Sequence, residues 1–264
     1  MITTGLTGTS REKSETLKML KEFKIEGIYI VHAKNGYEVH EQRIKDIFGK
    51  LGLSYEFVTD GDISNFTPQL LEKYFCKNIT SVLSPGIISC TLNHILSYEK
   101  IVKNENKFAL VFENDPFFLG NFLEKIKRVA IEANSLAPGF IISLENTTLR
   151  FPDFRKVKKG KYLYEANFGR AAGAYLIDLQ AARNILENLQ KEKCCQVIDW
   201  WHNTLIKNKI IKMYWAHPAF VEQGSHNGMM SSTISSKNKS YIRRFRWNAQ
   251  KFYKMYIYRW FKKQ

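Results

Sequence analysis

Residues 108–117 read FALVFENDPF, a run of five apolar residues followed at once by two carboxylates. Such a run is typical of a short buried strand. Glu113 and Asp115 then lie at its carboxyl end, where open α/β folds place their ligands. Carboxylate oxygens suit hard divalent cations, which usually keep substrate phosphates as further ligands. The stretch therefore predicts either a metal site against a diphosphate or, as the simpler alternative, a solvated turn after a strand.

Strand patterns and helix patterns alternate on both sides of this stretch. Helical periodicity or helix-start signals occur between most of the apolar strand-like runs. This alternation is typical of an α/β fold with a mostly parallel sheet. We predict strands at residues 27–31, 55–58, 108–112, 140–144, 174–177 and 211–216. We predict helices at residues 11–23, 44–51, 85–102, 119–130, 179–189 and 198–207. The segment 145–168 lacks clear periodicity and is interpreted as a mixed loop or hairpin.

The composition is that of a globular protein with a strong basic excess. Its 264 residues include 40 Lys and Arg against 25 Asp and Glu, a net charge of +15. That balance points to an anionic partner: nucleic acid, a membrane surface or a phosphorylated substrate. The four cysteines have no metal-ligand spacing, so we expect reduced thiols in the cytoplasm. We find neither a signal peptide nor an apolar run of about 18 residues.

Residues 241–264 differ from the rest of the chain. They hold eight basic residues, nine aromatic residues and no acid. Aromatic side chains recur at steps of three or four, which predicts a basic amphipathic helix with an aromatic face. Such a helix suits an anionic membrane surface. Two alternatives remain open: a terminal helix packed on the domain, and an RNA-binding tail.

Several motifs, in order, resemble glycosyltransferase family 25, which includes lipopolysaccharide galactosyltransferases. The PGIISCTLNH segment at residues 85–94 resembles the family's Pro-Gly-Glu-x-x-Cys-x-x-Ser-His. Glu113-Asn114-Asp115 resembles its Glu-Asp-Asp, a variant of the Asp-x-Asp signature of metal-dependent GT-A enzymes. The strand that begins at Gly173 and the Val197-Ile198-Asp199 segment resemble two further family motifs. Ile87, Asn93 and Asn114 depart from the family pattern.

The resemblance implies a GT-A-like single domain at residues 25–235, with a mostly parallel sheet flanked by helices. Residues 1–24 would be an N-terminal extension and residues 236–264 a basic, aromatic, membrane-associating tail. The implied activity is inverting transfer of a hexose, with galactose from UDP-galactose as first candidate, to a lipopolysaccharide or other cell-surface glycan. The enzyme would need Mn²⁺ or Mg²⁺. The basic aromatic tail, rather than the resemblance, predicts a location at the inner face of the cell membrane and no nucleic-acid partner.

The same resemblance assigns roles to individual residues. Asp199 would be the general base, with a helix N-cap as its alternative role. Asp115, Glu113 and His226 would hold the metal. The nucleotide-sugar donor would contact five residues: Glu113, Asn114, Arg43, His94 and Gly173. We also consider Arg170 as a phosphate contact, and Trp200 and Trp201 as either an acceptor-sugar platform or core residues.

Two competing functions remain open. The departures from the family motifs allow a non-catalytic relative that binds a nucleotide sugar or a glycan. The net charge alone allows a nucleic-acid-binding protein, but that interpretation predicts basic residues spread over one face of the whole domain. Here eight of the 40 basic residues fall in the last 24 positions, which favours a tail that docks on membranes.

Overall fold

The computed structural model describes residues 10–230 and 240–258. Its central sheet has seven strands in the order β2-β1-β3-β7-β5-β8-β6. β1, β2, β3, β5 and β8 run parallel to one another, and β7 and β6 run antiparallel to them. The predicted α/β architecture with a mostly parallel sheet flanked by helices is confirmed. All six predicted strands are present.

The predicted strands and most of the predicted helices lie within three residues of the observed bounds. The helix predicted at residues 44–51 begins earlier, at residue 38, and the helices at residues 68–74 and 79–82 were not predicted. The strands are β1 Ile25–Val31, β2 Glu56–Val58, β3 Phe108–Glu113, β4 Pro116–Phe118, β5 Phe140–Ser143, β6 Leu163–Ala166, β7 Ala174–Asp178, β8 Lys212–Ala216 and β9 Val221–Gln223. The helices are α1 Ser10–Glu22, α2 Glu38–Lys50, α3 Pro68–Tyr74, α4 Ile79–Val82, α5 Pro85–Lys103, α6 Phe122–Ala133, α7 Leu179–Lys191, α8 Ile198–Lys207, α9 Gly224–Asn227 and α10 Tyr241–Phe252. Ser84 occupies the N-cap position of α5, and Asp178 caps α7 by accepting a hydrogen bond from the Ala181 amide.

Helices cover both faces of the central sheet, and β3 supplies side chains to both cores. Ala109 and Val111 point into the core that α5, α7 and α8 complete. Phe108, Leu110 and Phe112 point into the opposite core, which α2 and α6 complete. This alternation is the pleat of a fully buried strand, and it explains why β3 reads as one continuous apolar run.

A two-stranded sheet lies beside the carboxyl end of β3. β4 pairs antiparallel with β9, and Pro116 is paired with Gln223. We predicted neither strand, because three residues are too few to show alternation. Pro116 opens β4 after the main strand has ended at Glu113. The small sheet brings a segment more than 100 residues away in sequence against the two carboxylates that follow β3.

The cysteines differ from the sequence-based expectation of reduced thiols. The structure joins Cys76 and Cys195 in a disulfide, with Cα atoms 5.4 Å apart, while Cys90 and Cys194 are free. The bond ties the end of α3 to the loop that precedes α8. The pairing could not be read from the sequence because 119 positions separate the two residues.

The terminal helix α10 lies at the edge of the domain with most of its side chains in solvent. Arg243 donates a hydrogen bond to the Ser225 carbonyl, and Lys251 forms an ion pair with Glu222. The exposed large side chains are Tyr241, Ile242, Phe245 and Phe252, followed by Tyr253, Tyr256 and Ile257 in the adjoining π-helical turns. Residues 231–239 and 259–264, which include Trp260 of the predicted amphipathic helix, lie outside the described residues. Within the described ranges, no helix combines the length and apolarity needed to cross a membrane.

Candidate active site

A pocket with a volume of about 170 Å³ opens at the shared carboxyl ends of β1, β2 and β3. His32 follows β1, Asp62 follows β2, and Glu113 with Asn114 ends β3. The first turns of α5 close the pocket with Gly86, Ser89, Cys90 and Asn93. The strands meet here because parallel neighbours end at the same edge, so the predicted ligand-binding edge is where the concave surface lies.

Close backbone contact fixes one wall of this pocket. The Gly61 amide donates to Asn93 Oδ1 at 2.8 Å, and Asn93 is buried on α5. A Cβ atom on Gly61 would lie 2.8 Å from the same oxygen and 2.9 Å from Leu92. Glycine is therefore needed for the loop after β2 to approach α5 and to hold Asp62 at the pocket.

Glu113 faces the pocket with a side chain that is 24% exposed. Gln223 of β9 donates a hydrogen bond to Glu113 Oε2 at 2.8 Å. Glu113 Oε1 lies 3.6 Å from His94 Nε2 and 3.9 Å from Cys90 Sγ. Burial, reinforced by the nearby Asp115 carboxylate, raises the pKa of Glu113 to about 8. Without a bound cation, this carboxyl group therefore holds a proton at neutral pH.

Asp115 is buried, at 5% exposure, behind the pocket-lining residues. Its Oδ2 accepts a hydrogen bond from the Ser225 amide at 2.8 Å, and its carbonyl accepts from the Gly224 amide. Its Oδ1 is buried and has no hydrogen-bond partner among the described residues. A buried carboxylate oxygen left without a partner fits a hard cation such as Mn²⁺ or Mg²⁺. Both Glu113 oxygens, in contrast, already have neighbours, so Asp115 fits direct ligation better than Glu113 does.

Asp199 lies in the first turn of α8 and is half-buried. The N-cap of α8 is Val197, so the alternative in which Asp199 caps the helix is wrong. Burial and the charge of Glu113 raise the pKa of Asp199 to about 6. A carboxylate with a pKa near 6 is suited to act as a general base close to neutral pH. The structure thus brings Asp199 within electrostatic range of Glu113.

A chain of buried hydrogen bonds runs inward from His94, which lies beside Glu113. His94 Nδ1 lies 2.8 Å from the Tyr175 hydroxyl, which lies 2.9 Å from the Tyr98 hydroxyl. Tyr98 in turn lies 2.7 Å from His202 Nε2. Burial lowers the pKa of His94 to about 4 and that of His202 to about 3, so both rings are neutral. His94 is therefore a fully buried residue whose Nε2 points toward Glu113.

The other predicted site residues lie around the same loop. Asn114 lines the pocket, with its Nδ2 3.3 Å from His32 Nδ1. Arg43 reaches across to donate to the Pro116 carbonyl, and its guanidinium stacks on Phe117 at 3.9 Å. His226 is exposed and adjacent to Ser225, which contacts Asp115. The roles of these residues in donor or metal binding stay predictions.

Gly173 lies behind Glu113 rather than in the pocket lining. Its carbonyl accepts a hydrogen bond from the Glu113 amide at 2.9 Å. A Cβ atom at this position would overlap the Gln223 side chain, which holds Glu113. Gly173 therefore has a packing role, because the absence of a side chain leaves room for Gln223.

The structure does not support a phosphate contact for Arg170. Its side chain is fully buried, donates to the carbonyls of Glu145 and Ala216 at 3.0 Å each, and stacks on Trp215. Arg170 therefore stabilises the core through these contacts.

The sequence left open whether Trp200 and Trp201 are core residues or surface residues near the acceptor. Trp201 is buried in the core, and Trp200 is 68% exposed.

Two acidic residues of the site were missed by the sequence analysis. Glu145 follows β5 and is fully buried; it accepts hydrogen bonds from the Gly173 amide and the Thr147 hydroxyl. Burial is the main cause that raises its pKa to about 8. Asp62 Oδ1 is buried at the pocket without a hydrogen-bond partner among the described residues. Glu145 and Asp62 both follow parallel strands. The expectation that ligands bind at the carboxyl ends of such strands, which identified Glu113, could therefore also have identified them.

Comparison with known proteins matches residues 27–200 to the model of glycosyltransferase family 25, described as a lipopolysaccharide biosynthesis protein. A "Glycosyltransferase 25 family member" of Aedes aegypti is 25% identical over 181 residues, 66% of this chain and 30% of its own. One of Anopheles gambiae is 22% identical over 192 residues, 72% of this chain and 29% of its own. The chain spans about 30% of the length of these relatives. Since the family model matches well over half of the sequence, the chain belongs to glycosyltransferase family 25.

Proposed function

We propose that this chain is a metal-dependent, inverting glycosyltransferase that transfers a hexose to a lipopolysaccharide or another cell-surface glycan. Galactose from UDP-galactose is the first candidate for the donor. The observation that carries the proposal is the pocket at the ends of β1, β2 and β3, with Glu113 and Asn114 at its edge. Asp115, with an unpartnered carboxylate oxygen, follows in the same loop.

The donor nucleotide would lie in this pocket. Asp62 Oδ1 has no hydrogen-bond partner among the described residues, and buried acceptors are costly to leave unmade. A ribose hydroxyl or a base N–H would satisfy it. The side chain of Glu113 would then face the diphosphate or the ribose, held in place by Gln223.

Asp115 would be the direct metal ligand, with Glu113 and His226 as further candidates. When bound, Mn²⁺ or Mg²⁺ stabilises the leaving diphosphate as a Lewis acid. The protein's own part is to fix Asp115: the Ser225 amide holds one of its oxygens and leaves the other available. The positive charge would also favour the ionised form of Glu113.

Asp199 would take the proton from the acceptor hydroxyl as that oxygen attacks the sugar. Its partial exposure leaves it accessible to an acceptor, and its pKa of about 6 leaves it mostly ionised at neutral pH. Trp200, the next residue, presents a largely exposed indole. We assign Trp200 as a stacking surface for the acceptor sugar, because it is exposed next to Asp199 in the sequence and aromatic faces suit sugar rings.

The tail would bring the enzyme to its lipid-linked acceptor. Arg243 and Lys251 hold α10 to the domain, while Phe245, Phe252 and Tyr256 remain exposed. Exposed aromatics beside Arg and Lys side chains suit the interface of an anionic membrane. Each basic residue near such a surface contributes roughly 1 kcal/mol.

The metal-binding role of Asp115 can be tested by nucleotide binding. Asp115→Asn keeps an oxygen that can accept from Ser225 but loses the charge. Calorimetry with UDP and Mn²⁺ should show at least about a tenfold loss of affinity, which corresponds to roughly 1.4 kcal/mol. Asp46→Asn, at an exposed position on α2, is the matched control and should bind as the wild type does. Equal binding by wild type and Asp115→Asn would remove Asp115 from the proposal.

A further inference from the structure

We propose that Cys90, His94 and Glu113 form a second cation site, one that takes a thiophilic divalent ion such as Zn²⁺. Their ligand atoms all lie within 4.8 Å of one another. This site differs in chemistry from the site proposed at Asp115, because it includes a thiol. The two sites have Glu113 in common, and the Cys90 site goes beyond the proposed sugar transfer.

The spacing of these groups is close to that of a coordination shell. Zinc binds sulfur at about 2.3 Å and nitrogen or oxygen at about 2.0–2.2 Å, so tetrahedral ligand atoms lie roughly 3.4–3.6 Å apart. Here His94 Nε2 and Glu113 Oε1 are 3.6 Å apart, and Cys90 Sγ and Glu113 Oε1 are 3.9 Å apart. Small side-chain movements would therefore bring all three groups onto one ion.

Two of the ligands come from one face of a rigid helix. Cys90 and His94 are one turn apart on α5, so the backbone already directs both side chains the same way. His94 Nε2 is buried and has no hydrogen-bond partner among the described residues. In the tautomer in which Nδ1–H donates to the Tyr175 hydroxyl, Nε2 keeps a lone pair that can bind a cation.

The surroundings resemble the outer shell of a metal site. The Tyr175 hydroxyl lies 2.8 Å from His94 Nδ1, and Gln223 donates to Glu113 Oε2 at 2.8 Å. Such contacts orient metal ligands and hold the imidazole in one tautomer. Cys90 and Glu113 also line the pocket, which leaves the fourth coordination position open to water.

Binding is balanced by the loss of protons. The Cys90 thiol and the Glu113 carboxyl group both release their protons to solvent as the ion binds, so the ion is held by a thiolate and a carboxylate. Asp199 lies within electrostatic range of Cys90 and His94, and its negative charge favours a cation at this position. The site therefore holds two anionic ligands and one neutral ligand, with a further carboxylate nearby.

The test uses Co²⁺ as a spectroscopic probe on the full chain with its Cys76–Cys195 disulfide intact. We expect one Co²⁺ per chain with a thiolate-to-cobalt charge-transfer absorption, which added Zn²⁺ removes. Cys90→Ser should lose this absorption, and Cys194→Ser, which changes the other free cysteine, should keep it. Asp115→Asn should also keep it, so the result is separate from the fate of the donor-site proposal. Absence of the band at saturating Co²⁺, or an unchanged band in Cys90→Ser, would overturn the site.

A second measurement covers the case in which Cys90→Ser does not fold. Zn²⁺ should protect the Cys90 thiol of the wild-type protein from alkylation, as followed by peptide mass spectrometry. Tyr175→Phe, which removes the outer hydroxyl, should weaken Zn²⁺ binding about 10- to 100-fold. Alkylation of Cys90 at the same rate with and without Zn²⁺ would contradict the proposal.

Discussion

Three carboxyl groups, at the pocket or buried near it, have a pKa that is raised above the usual value. Burial raises the pKa of Glu113 and Glu145 to about 8 and that of Asp199 to about 6. When it is ionised, Glu113 raises the pKa of both of the others through its charge. Perturbed groups that face a cleft are typical of functional sites. Of the three, Asp199 is the one that is mostly ionised at neutral pH.

The pKa of Asp199 predicts the pH dependence of transfer. A general base must be ionised, so kcat/KM should fall as the pH drops through about 6. Asp199→Asn cannot take the proton and should lower kcat by about 10²- to 10⁴-fold while UDP still binds. The check is a pH profile of kcat/KM with UDP binding measured in parallel. A variant that bound UDP poorly but turned over normally would move the role of the base to another residue.

Glu145 predicts how stability depends on pH. Its folded pKa of about 8 lies above the usual 4.5, so the folded state binds the proton more tightly than the unfolded state. The stabilisation is full below pH 4.5 and is lost as the pH rises through 8, at roughly 1 kcal/mol per pH unit. Glu145→Gln should flatten this loss in urea unfolding at pH 5, 7 and 8. An unchanged slope in that variant would show that Glu145 is not the group that titrates.

The short strands β4 and β9 position Glu113, and Gly173 shows how closely the side chains beside it are packed. The pairing of β4 with β9 brings Gln223 to Glu113, and Gly173 leaves the room that Gln223 needs. Gly173→Ala should destabilise the protein by about 1–3 kcal/mol, because the new methyl group overlaps that side chain. Gly169→Ala is the matched control, since its Cβ would meet nothing closer than 3.6 Å. Urea unfolding of both variants decides this, and equal stability would contradict the packing role.

The helix α10 carries the membrane proposal. Replacing Phe245, Phe252 and Tyr256 with serine should leave Arg243 and Lys251 bound to the domain but remove the exposed aromatic surface. Binding to anionic vesicles should drop at least tenfold, and the binding of the wild type should weaken with salt. A matched control replaces the exposed Val39, Val82 and Phe154 elsewhere on the surface. Equal vesicle binding by both triple variants would mean that the tail does not dock on membranes.

Across the whole molecule, long periodic segments were predictable and short contacts were not. The apolar run of β3 and the helical spacing of α5 and α7 identified the α/β sheet and the edge where the pocket lies. The three-residue strands β4 and β9 carry too little pattern to recognise. The Cys76–Cys195 bond and the buried chain from His94 to His202 join distant segments, which no local spacing reveals. The acidic groups after β3 were found because strand ends are marked in the sequence.

The most direct test of the central claim is metal-dependent turnover of a nucleotide sugar. The purified chain with UDP-galactose and Mn²⁺ should release UDP, by transfer of the sugar to an acceptor glycan or slowly to water. Removing the metal with EDTA should stop the release, and Asp115→Asn should reduce it by at least about tenfold, a difference of roughly 1.4 kcal/mol. A screen of other sugar nucleotides by mass spectrometry identifies the donor if galactose is not transferred. Tight, Mn²⁺-dependent binding of UDP-sugars without consumption of any of them would contradict the account and show a non-catalytic member of the family.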